Sequence, residues 1–278
     1  MRISVCVGEY AKTPYCVPGL ELNVFSMEEL CYCMKENAFL LDASLLNDGL
    51  LNWIERECGL KELAGALYPL VHRQGSLSGF VTAILRYVGF YGEDAVEETG
   101  QALKQGAGLS GIEKRKSQVD YLVKKKKYRS ALKGYDELLQ KWQETEEGKK
   151  AAGNCLAAIW HNKGVAYAGL MLYGKASECF REACGLEDRE DYWLDYLAAK
   201  RMQLSEEDYV AFAGENGDWY QYTLELERRL ERASEEWEQS PDFLRLYNRR
   251  ELRNGVDRQK FYEDNDRLTQ ALKDSYRI

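Results

Sequence analysis

Proline is almost absent from this chain: only four of its 278 residues are proline. Because proline interrupts helices, and because Ala, Leu, Glu, Lys and Arg favour them, this composition predicts a mainly helical protein. Hydrophobic residues make up 45% of the chain, which is enough for a sizeable core, and charged residues make up 30%. No apolar run reaches the roughly 18 residues of a membrane-spanning helix, so no membrane span is expected.

Short polar breaks divide the chain into helical segments. These breaks carry Gly, Asn, Asp or Ser, the residue types that start and stop helices. Ser26 and Glu29 have the spacing of a capping box, in which the Glu29 carboxylate returns to the Ser26 amide. We predict helices near 27–36, 44–57, 60–74, 78–90, 93–105, 111–126, 128–143, 148–170, 173–185, 189–203 and 205–214.

The two ends of the chain differ from this helical region. Within residues 1–25, apolar and polar side chains alternate at 3–7 and again at 20–24, which predicts a short strand-like arm. Residues 218–277 indicate two long charged helices with breaks near 240–241 and 254–255, which we interpret as a helical hairpin. The expected domains are therefore the arm at 1–25, an N-terminal helical region at 26–110, helical repeats at 111–214 and long helices at 215–278.

The most specific pattern lies at 157–190. Aromatic and small residues alternate there at fixed intervals: Trp160, Gly164, Tyr167, Ala176, Phe180 and Ala183. This segment resembles a tetratricopeptide repeat, whose pattern has Trp, Gly four residues on, Tyr three on, Ala nine on, Phe four on and Ala three on. Lys163 stands where the family prefers Leu, and Asp188 stands where the family often has Pro. The resemblance implies a close helix crossing at which Gly164 faces Ala176.

Weaker matches precede this unit. Tyr128, Ala131, Tyr135 and Leu138 match the second half of the pattern, and 78–105 fits a further helix pair through Ala95 and Ala102. Ala131 and Ala176 are 45 residues apart, where the family period is about 34, and the surplus falls in 139–154. The resemblance implies an all-α fold in which TPR-like antiparallel helix pairs stack as an α-solenoid, with a concave surface lined by the first helix of each pair.

The resemblance also implies a peptide-binding groove on those first helices. The family's groove positions fall on Glu113, Lys116, Ser117 and Asp120, on Ala158, His161, Asn162 and Val165, and on Tyr192, Asp195 and Tyr196 of the next helix. Some family members clamp a peptide carboxylate with Lys and Asn, and Lys116 and Asn162 fit two of those positions. Asp120 stands where the clamp has Asn, and its charge would repel a peptide C-terminus. We expect the groove to suit an internal segment with basic and apolar side chains.

Other residues with chemical potential have simpler interpretations. His72 lies at a predicted helix end, where a surface histidine is ordinary. Gly106, Gly108 and Gly111 have the G-x-G-x-x-G spacing, but a helix instead of a strand precedes them, which favours a helix–helix loop over a nucleotide site. The lysine run 124–127 could bind an acidic group or simply end a helix. We expect no cofactor and no metal, and we expect the eight cysteines to be reduced, buried thiols.

These observations favour a cytoplasmic protein- or peptide-binding scaffold without catalysis. A net charge of −8 argues against nucleic acid as a partner. Two alternatives stay open: a regulator that senses a small peptide, and an enzyme with a pocket between helices. It also stays open whether 218–277 fills the groove.

Overall fold

The computed structural model describes residues 6–73, 75–144, 153–254 and 258–275. Across these residues the chain forms fourteen α-helices and one antiparallel sheet of two short strands. The expectation of an all-α fold is therefore confirmed. The chain separates into two compact units, Met1–Gln203 and Leu204–Ile278.

The sheet lies near the N-terminus. Strand β1 (Tyr15–Val17) pairs with β2 (Leu22–Val24). The second of these lies in the alternating stretch that predicted it. The alternation at residues 3–7 begins with residues outside the described part of the chain.

Helix α1 (Met27–Glu36) starts with a modified capping box. The Glu29 amide donates to Ser26 Oγ at 3.2 Å, as expected. The Glu29 carboxylate, however, accepts from the Phe25 amide at 2.6 Å instead of the Ser26 amide. Ser26 itself is extended, with φ −141° and ψ 164°, as an N-cap residue usually is.

Four further helices complete the N-terminal part of the first unit: α2 (Asp48–Arg56), α3 (Lys61–His72), α4 (Leu77–Val88) and α5 (Glu93–Ala107). Helix α2 packs against α3, and α4 packs against α5 and α1. One core joins them, in which Met27, Leu30, Phe80 and Ile84 are fully buried. Their starts and ends follow the predicted ranges closely, except that α2 begins at Asp48 after a short 3₁₀ turn, Ala43–Leu45.

Five helices follow in the same unit: α6 (Gly111–Lys124), α7 (Tyr128–Glu144), α8 (Gly153–Gly169), α9 (Tyr173–Leu186) and α10 (Glu190–Gln203). Each packs against the next, and α6 also packs against α8. Packing of neighbouring helices in pairs is consistent with a helical repeat. The start predicted for α8, near 148, falls outside the described residues.

The close crossing of α8 and α9 exists, but Gly164 faces a different residue from the one expected. A Cβ at Gly164 would lie 2.6 Å from Cε1 of Phe180, so the ring lies directly on the glycine backbone. Ala176, the expected neighbour, is fully buried one helical turn earlier on α9. The spacing correctly predicted that α8 and α9 cross at Gly164. It did not predict that the Phe180 ring, and not Ala176, packs on that glycine.

One departure from the repeat pattern, Lys163, is accommodated by a contact between helices. Lys163, where the family prefers Leu, is 9% exposed. Its Nζ lies 2.7 Å from Asp136 Oδ1 on α7 and 4.9 Å from the centre of the Trp160 ring. A long aliphatic stem can pack like leucine while its ammonium group reaches a carboxylate.

The second unit contains α11 (Glu206–Glu215), α12 (Tyr220–Glu238), α13 (Pro241–Asn254) and α14 (Arg258–Ser275). The break predicted near 240–241 is present, and the one predicted near 254–255 borders residues outside the described part of the chain. The described residues of 218–277 form three helices, so the prediction of two was wrong. Pro241 is the first residue of α13, a position at which its missing amide proton costs nothing.

The cysteines do not share one environment. Cys31, Cys33, Cys58, Cys179 and Cys184 are buried, as expected, whereas Cys155 is half-buried and Cys6 and Cys16 are exposed. Cys16 is exposed because β1 alternates its side chains, with Val17 turned into the core.

Candidate functional site

The predicted groove residues lie on three alternate helices of the first unit. Helix α6 carries Glu113, Lys116, Ser117 and Asp120, helix α8 carries Ala158, His161, Asn162 and Val165, and helix α10 carries Tyr192, Asp195 and Tyr196. The structure joins most of them through one hydrogen-bonded network and two neighbouring clefts.

The first cleft, called here the polar cleft, has a volume of about 370 Å³. Five predicted residues line it together with three that sequence reasoning missed: Glu113, Lys116, Ser117, Ala158 and Tyr192, with Cys155, Glu187 and Arg189. The lining thus comes from α6, α8, α10 and the loop between α9 and α10. Two cations and two carboxylates make its surface mixed in charge.

Asp120 organises the wall behind the polar cleft. Its Oδ2 lies 2.6 Å from Lys116 Nζ. Its Oδ1 accepts from the Tyr135 hydroxyl at 2.5 Å and from Asn162 Nδ2 at 2.9 Å. Lys116 and Asn162, the two residues that fit the family's carboxylate clamp, therefore both bind a carboxylate of the chain itself.

Tyr135 holds the Asp120 carboxylate from the buried side of the network. It is fully buried on α7. Burial and the adjacent Asp120 carboxylate hold the pKa of Tyr135 well above its ordinary value. The hydroxyl therefore stays protonated and donates to Asp120, which fixes the orientation of the carboxylate between α6, α7 and α8.

His161 stands between the polar cleft and a second cleft. Its Nε2 lies 2.7 Å from Asp195 Oδ2, and its side chain is 15% exposed. The ring stacks on Tyr192 with centroids 4.4 Å apart and meets Phe180 at 5.2 Å. Because Tyr192 lines the polar cleft and Phe180 lines the other, His161 contacts both.

The second cleft, called here the apolar cleft, has a volume of about 300 Å³. Its lining comes from α8, α9 and α10: Val165, Ala168, Tyr173, Phe180, Asp195, Ala198, Ala199 and Met202. Asp195 is the charged residue of this set. The predicted residue Val165 therefore lies in a different cleft from Ala158, two turns earlier on the same helix.

Two of the predicted aromatic residues are less accessible than a groove surface suggests. Tyr192 and Tyr196 are each 3% exposed. Tyr192 still lines the polar cleft, whereas Tyr196 lines neither cleft and meets Trp193 edge-on at 6.1 Å. Tyr196 thus contributes to packing of α10, and not to the surface of either cleft.

Arg189 was missed because it lies in the loop before α10. Its guanidinium makes two hydrogen bonds to the Asp191 carboxylate, at 2.9 and 2.7 Å. It also lies 4.7 Å from the centre of the Tyr192 ring. An arginine three residues before an aromatic residue at a helix start is a signal that could have indicated this contact.

The other candidates have structural roles. His72 Nε2 lies 2.9 Å from Asp48 Oδ1 at the end of α3. Gly106 lies inside α5, and Ser110 begins α6 with a complete capping box to Glu113, so the glycine-rich stretch joins two helices. In the lysine run, Lys124 ends α6, and Lys127 Nζ donates to the Glu21 carbonyl.

The thiols near the clefts are weakly acidic. Burial raises the pKa of Cys179 to about 11 and that of Cys184 to about 12. Burial also raises the pKa of Cys155, which lines the polar cleft. A thiol with a raised pKa carries little thiolate at neutral pH and is a poor nucleophile.

Within the described ranges, no three His, Cys, Asp or Glu side chains lie close enough to hold a metal ion. Among those same residues, no helix is long and apolar enough to cross a membrane.

Comparison with protein-family models, with curated proteins and with solved structures finds no match to this chain. The likeness to tetratricopeptide repeats accordingly depends on the residues and packing of the chain itself.

Proposed function

We propose that α6–α10 form a TPR-like α-solenoid whose concave groove binds a segment of another polypeptide, and that the protein acts as a scaffold or adaptor without catalysis. In this proposal, α6, α8 and α10 are the first helices of successive pairs. The two clefts are parts of one groove.

The observation that carries the proposal is the shared lining of the polar cleft. Glu113 on α6, Ala158 on α8 and Tyr192 on α10 line the same cleft although they are far apart in sequence. Alternate helices that face one cleft are the arrangement by which stacked helix pairs form a binding surface.

The chemistry of the groove favours binding over reaction. Lys116 is paired with Asp120, and Arg189 is paired with Asp191, so both cations of the polar cleft are already neutralised. The raised pKa of Cys155 disfavours a thiolate nucleophile. What the groove offers is aromatic surface and paired charges, which suit recognition of a polypeptide.

The proposal places the protein in the cytoplasm. The buried thiols support this location. Burial raises the pKa of Cys31 and Cys58 to about 12, so both thiols stay protonated and act as small packing residues. Reduced cysteines used in this way are typical of proteins in reducing compartments.

Site-specific photocrosslinking tests the proposal. Benzoylphenylalanine replaces Ala158, in the polar cleft, and in a control protein it replaces Ala107, an exposed residue at the end of α5. After irradiation in a lysate of the source cells, we expect a discrete polypeptide adduct from position 158 and none from position 107. Equal adducts from both positions, or no adduct from position 158, would contradict the proposal.

A further inference from the structure

The apolar cleft has the size and surface of a pocket for one or two side chains. Its volume of about 300 Å³ is at the lower end of the range for ligand pockets, ~300–1,000 Å³. The hollow exists because the small side chains of Ala168, Ala198 and Ala199 do not fill it, and the rings of Tyr173 and Phe180 form its wall. Since Phe180 rests on the backbone of Gly164, this wall is held rigidly.

Apolar surface continues from this cleft to the turn between α8 and α9. An adjoining hollow of about 400 Å³ shares Tyr173 and Met202 with it and adds Met171 and Leu172. Met171 is 76% exposed and Met202 is 57% exposed. Methionine side chains are flexible and polarisable, and they adapt to apolar groups of different shapes.

One carboxylate oxygen at the edge of the apolar cleft is uncommitted. Asp195 Oδ2 is bound by His161 Nε2. Asp195 Oδ1 has no hydrogen bond among the described residues, and the side chain is 47% exposed. A free carboxylate oxygen beside an apolar pocket accepts hydrogen bonds from a lysine or arginine side chain. The net charge of −8 also favours a cationic partner.

We propose that the apolar cleft is the anchor site of the groove: it takes one large apolar side chain of a polypeptide, and Asp195 binds a lysine or arginine close to it in the same segment. This inference rests on the proposed function and specifies the kind of segment that is bound. The polar cleft then contacts the remainder of the segment, on the other side of His161.

The experiment selects peptides on the purified full-length protein. A phage library of random dodecapeptides is the probe source, and the most enriched peptide, labelled with fluorescein, is used for anisotropy titrations. We expect enriched peptides to contain Leu, Ile, Met or Phe within three positions of Lys or Arg. Selection of peptides that lack either feature would overturn the inference.

Two variants locate the bound peptide. Asp195→Asn keeps an acceptor for His161 and removes the charge, and we expect it to weaken binding by about tenfold, equivalent to ~1.4 kcal/mol. Ala198→Phe fills the cleft and should weaken binding at least as much. Glu190→Gln, on the same helix but outside both clefts, is the matched control for the charge and should bind like the wild type.

The outcomes separate the anchor site from the groove. If Ala158→Arg abolishes peptide binding while Asp195→Asn and Ala198→Phe leave it unchanged, the anchor site is wrong and the proposed function stands. If no peptide is enriched, or if none of the three changes alters binding, both fail. If the protein is a dimer that Ala198→Phe dissociates, a second copy occupies the cleft, and the proposal of a separate polypeptide is overturned.

Discussion

The polar and apolar clefts are neighbours on α8 and α10, yet their surfaces differ: the first carries paired charges, and the second is an unfilled apolar hollow. In the polar cleft, Lys116 and Arg189 are each neutralised by an aspartate that does not line the cleft. In the apolar cleft, alanines leave a hollow that no described side chain of the first unit fills. We infer that the apolar cleft supplies most of the binding free energy, while the polar cleft restricts which segments fit.

The largest expected effect concerns the support under the apolar cleft. Gly164→Leu would drive a side chain into the Phe180 ring, because a Cβ there already lies 2.6 Å from the ring. Such overpacking costs on the order of 1–3 kcal/mol, and we expect the upper end because both residues are enclosed. Urea denaturation measures the change in the free energy of unfolding.

Gly185→Leu is the matched control, since a Cβ at Gly185 has nothing within 4 Å and the residue lies on the same helix as Phe180. It should leave the stability unchanged or raise it slightly, because glycine is a poor helix former. If Gly164→Leu unfolds at the same urea concentration as the wild type, Phe180 does not rest on Gly164.

The second prediction concerns the support behind the polar cleft. Asp120→Ala removes an acceptor from three donors, including the hydroxyl of fully buried Tyr135. We expect a loss of about 1–2 kcal/mol, since an unsatisfied buried donor costs roughly 1–3 kcal/mol. Tyr135→Phe should cost less, because Asp120 keeps Lys116 and Asn162. A larger loss for Tyr135→Phe than for Asp120→Ala would contradict the network.

Features that depend on residues close together in the sequence could be predicted, whereas features that depend on contacts between distant residues could not. Helix α9 spans Tyr173–Leu186, against a prediction of 173–185, and α6 begins at Gly111, as predicted, with Ser110 as its N-cap. These features depend on neighbouring residues. Pro241 was a local signal too, for a third C-terminal helix, but it was interpreted only as a break.

Features set by tertiary packing could not be predicted in this way. The Lys163–Asp136 pair joins two helices, and Asp120 was expected to face a ligand although it binds Tyr135 and Asn162. Arg189 lies in a loop, where its neighbour in space depends on how α10 is oriented. The spacing therefore predicted which helices line the two clefts, whereas the contacts of each side chain could be read only from the structure.

A smaller effect is expected from pH at the polar cleft. The pKa of Tyr135 is raised in the folded protein, so the folded state holds this proton more tightly than the unfolded state. Its contribution to stability is complete below the unfolded pKa of about 10 and is lost as the pH rises above that value. Unfolding measured between about pH 9 and pH 11 should show a shallower decline for Tyr135→Phe than for the wild type. Identical slopes would mean that Tyr135 is not buried beside Asp120.

The smallest stability effect distinguishes the surface of the polar cleft from its support. Glu187→Gln changes a partly exposed carboxylate that lines the cleft, and surface substitutions of this kind usually change stability by less than about 0.5 kcal/mol. We expect an unchanged urea midpoint together with altered recognition of charged segments. A loss of stability as large as that of Asp120→Ala would show that Glu187 helps to hold the fold behind the polar cleft and is not only a surface residue of it.

The central claim is that a polypeptide segment occupies both clefts, and the affinity of the polypeptide captured at position 158 tests it most directly. Isothermal titration calorimetry compares the wild type with the double variant Ala158→Arg, Val165→Arg, which changes one residue of each cleft on α8, and with Ala107→Arg as the control. We predict a dissociation constant at least about tenfold higher for the double variant, equivalent to ~1.4 kcal/mol, and no change for the control. An unchanged dissociation constant for a folded double variant would contradict the account.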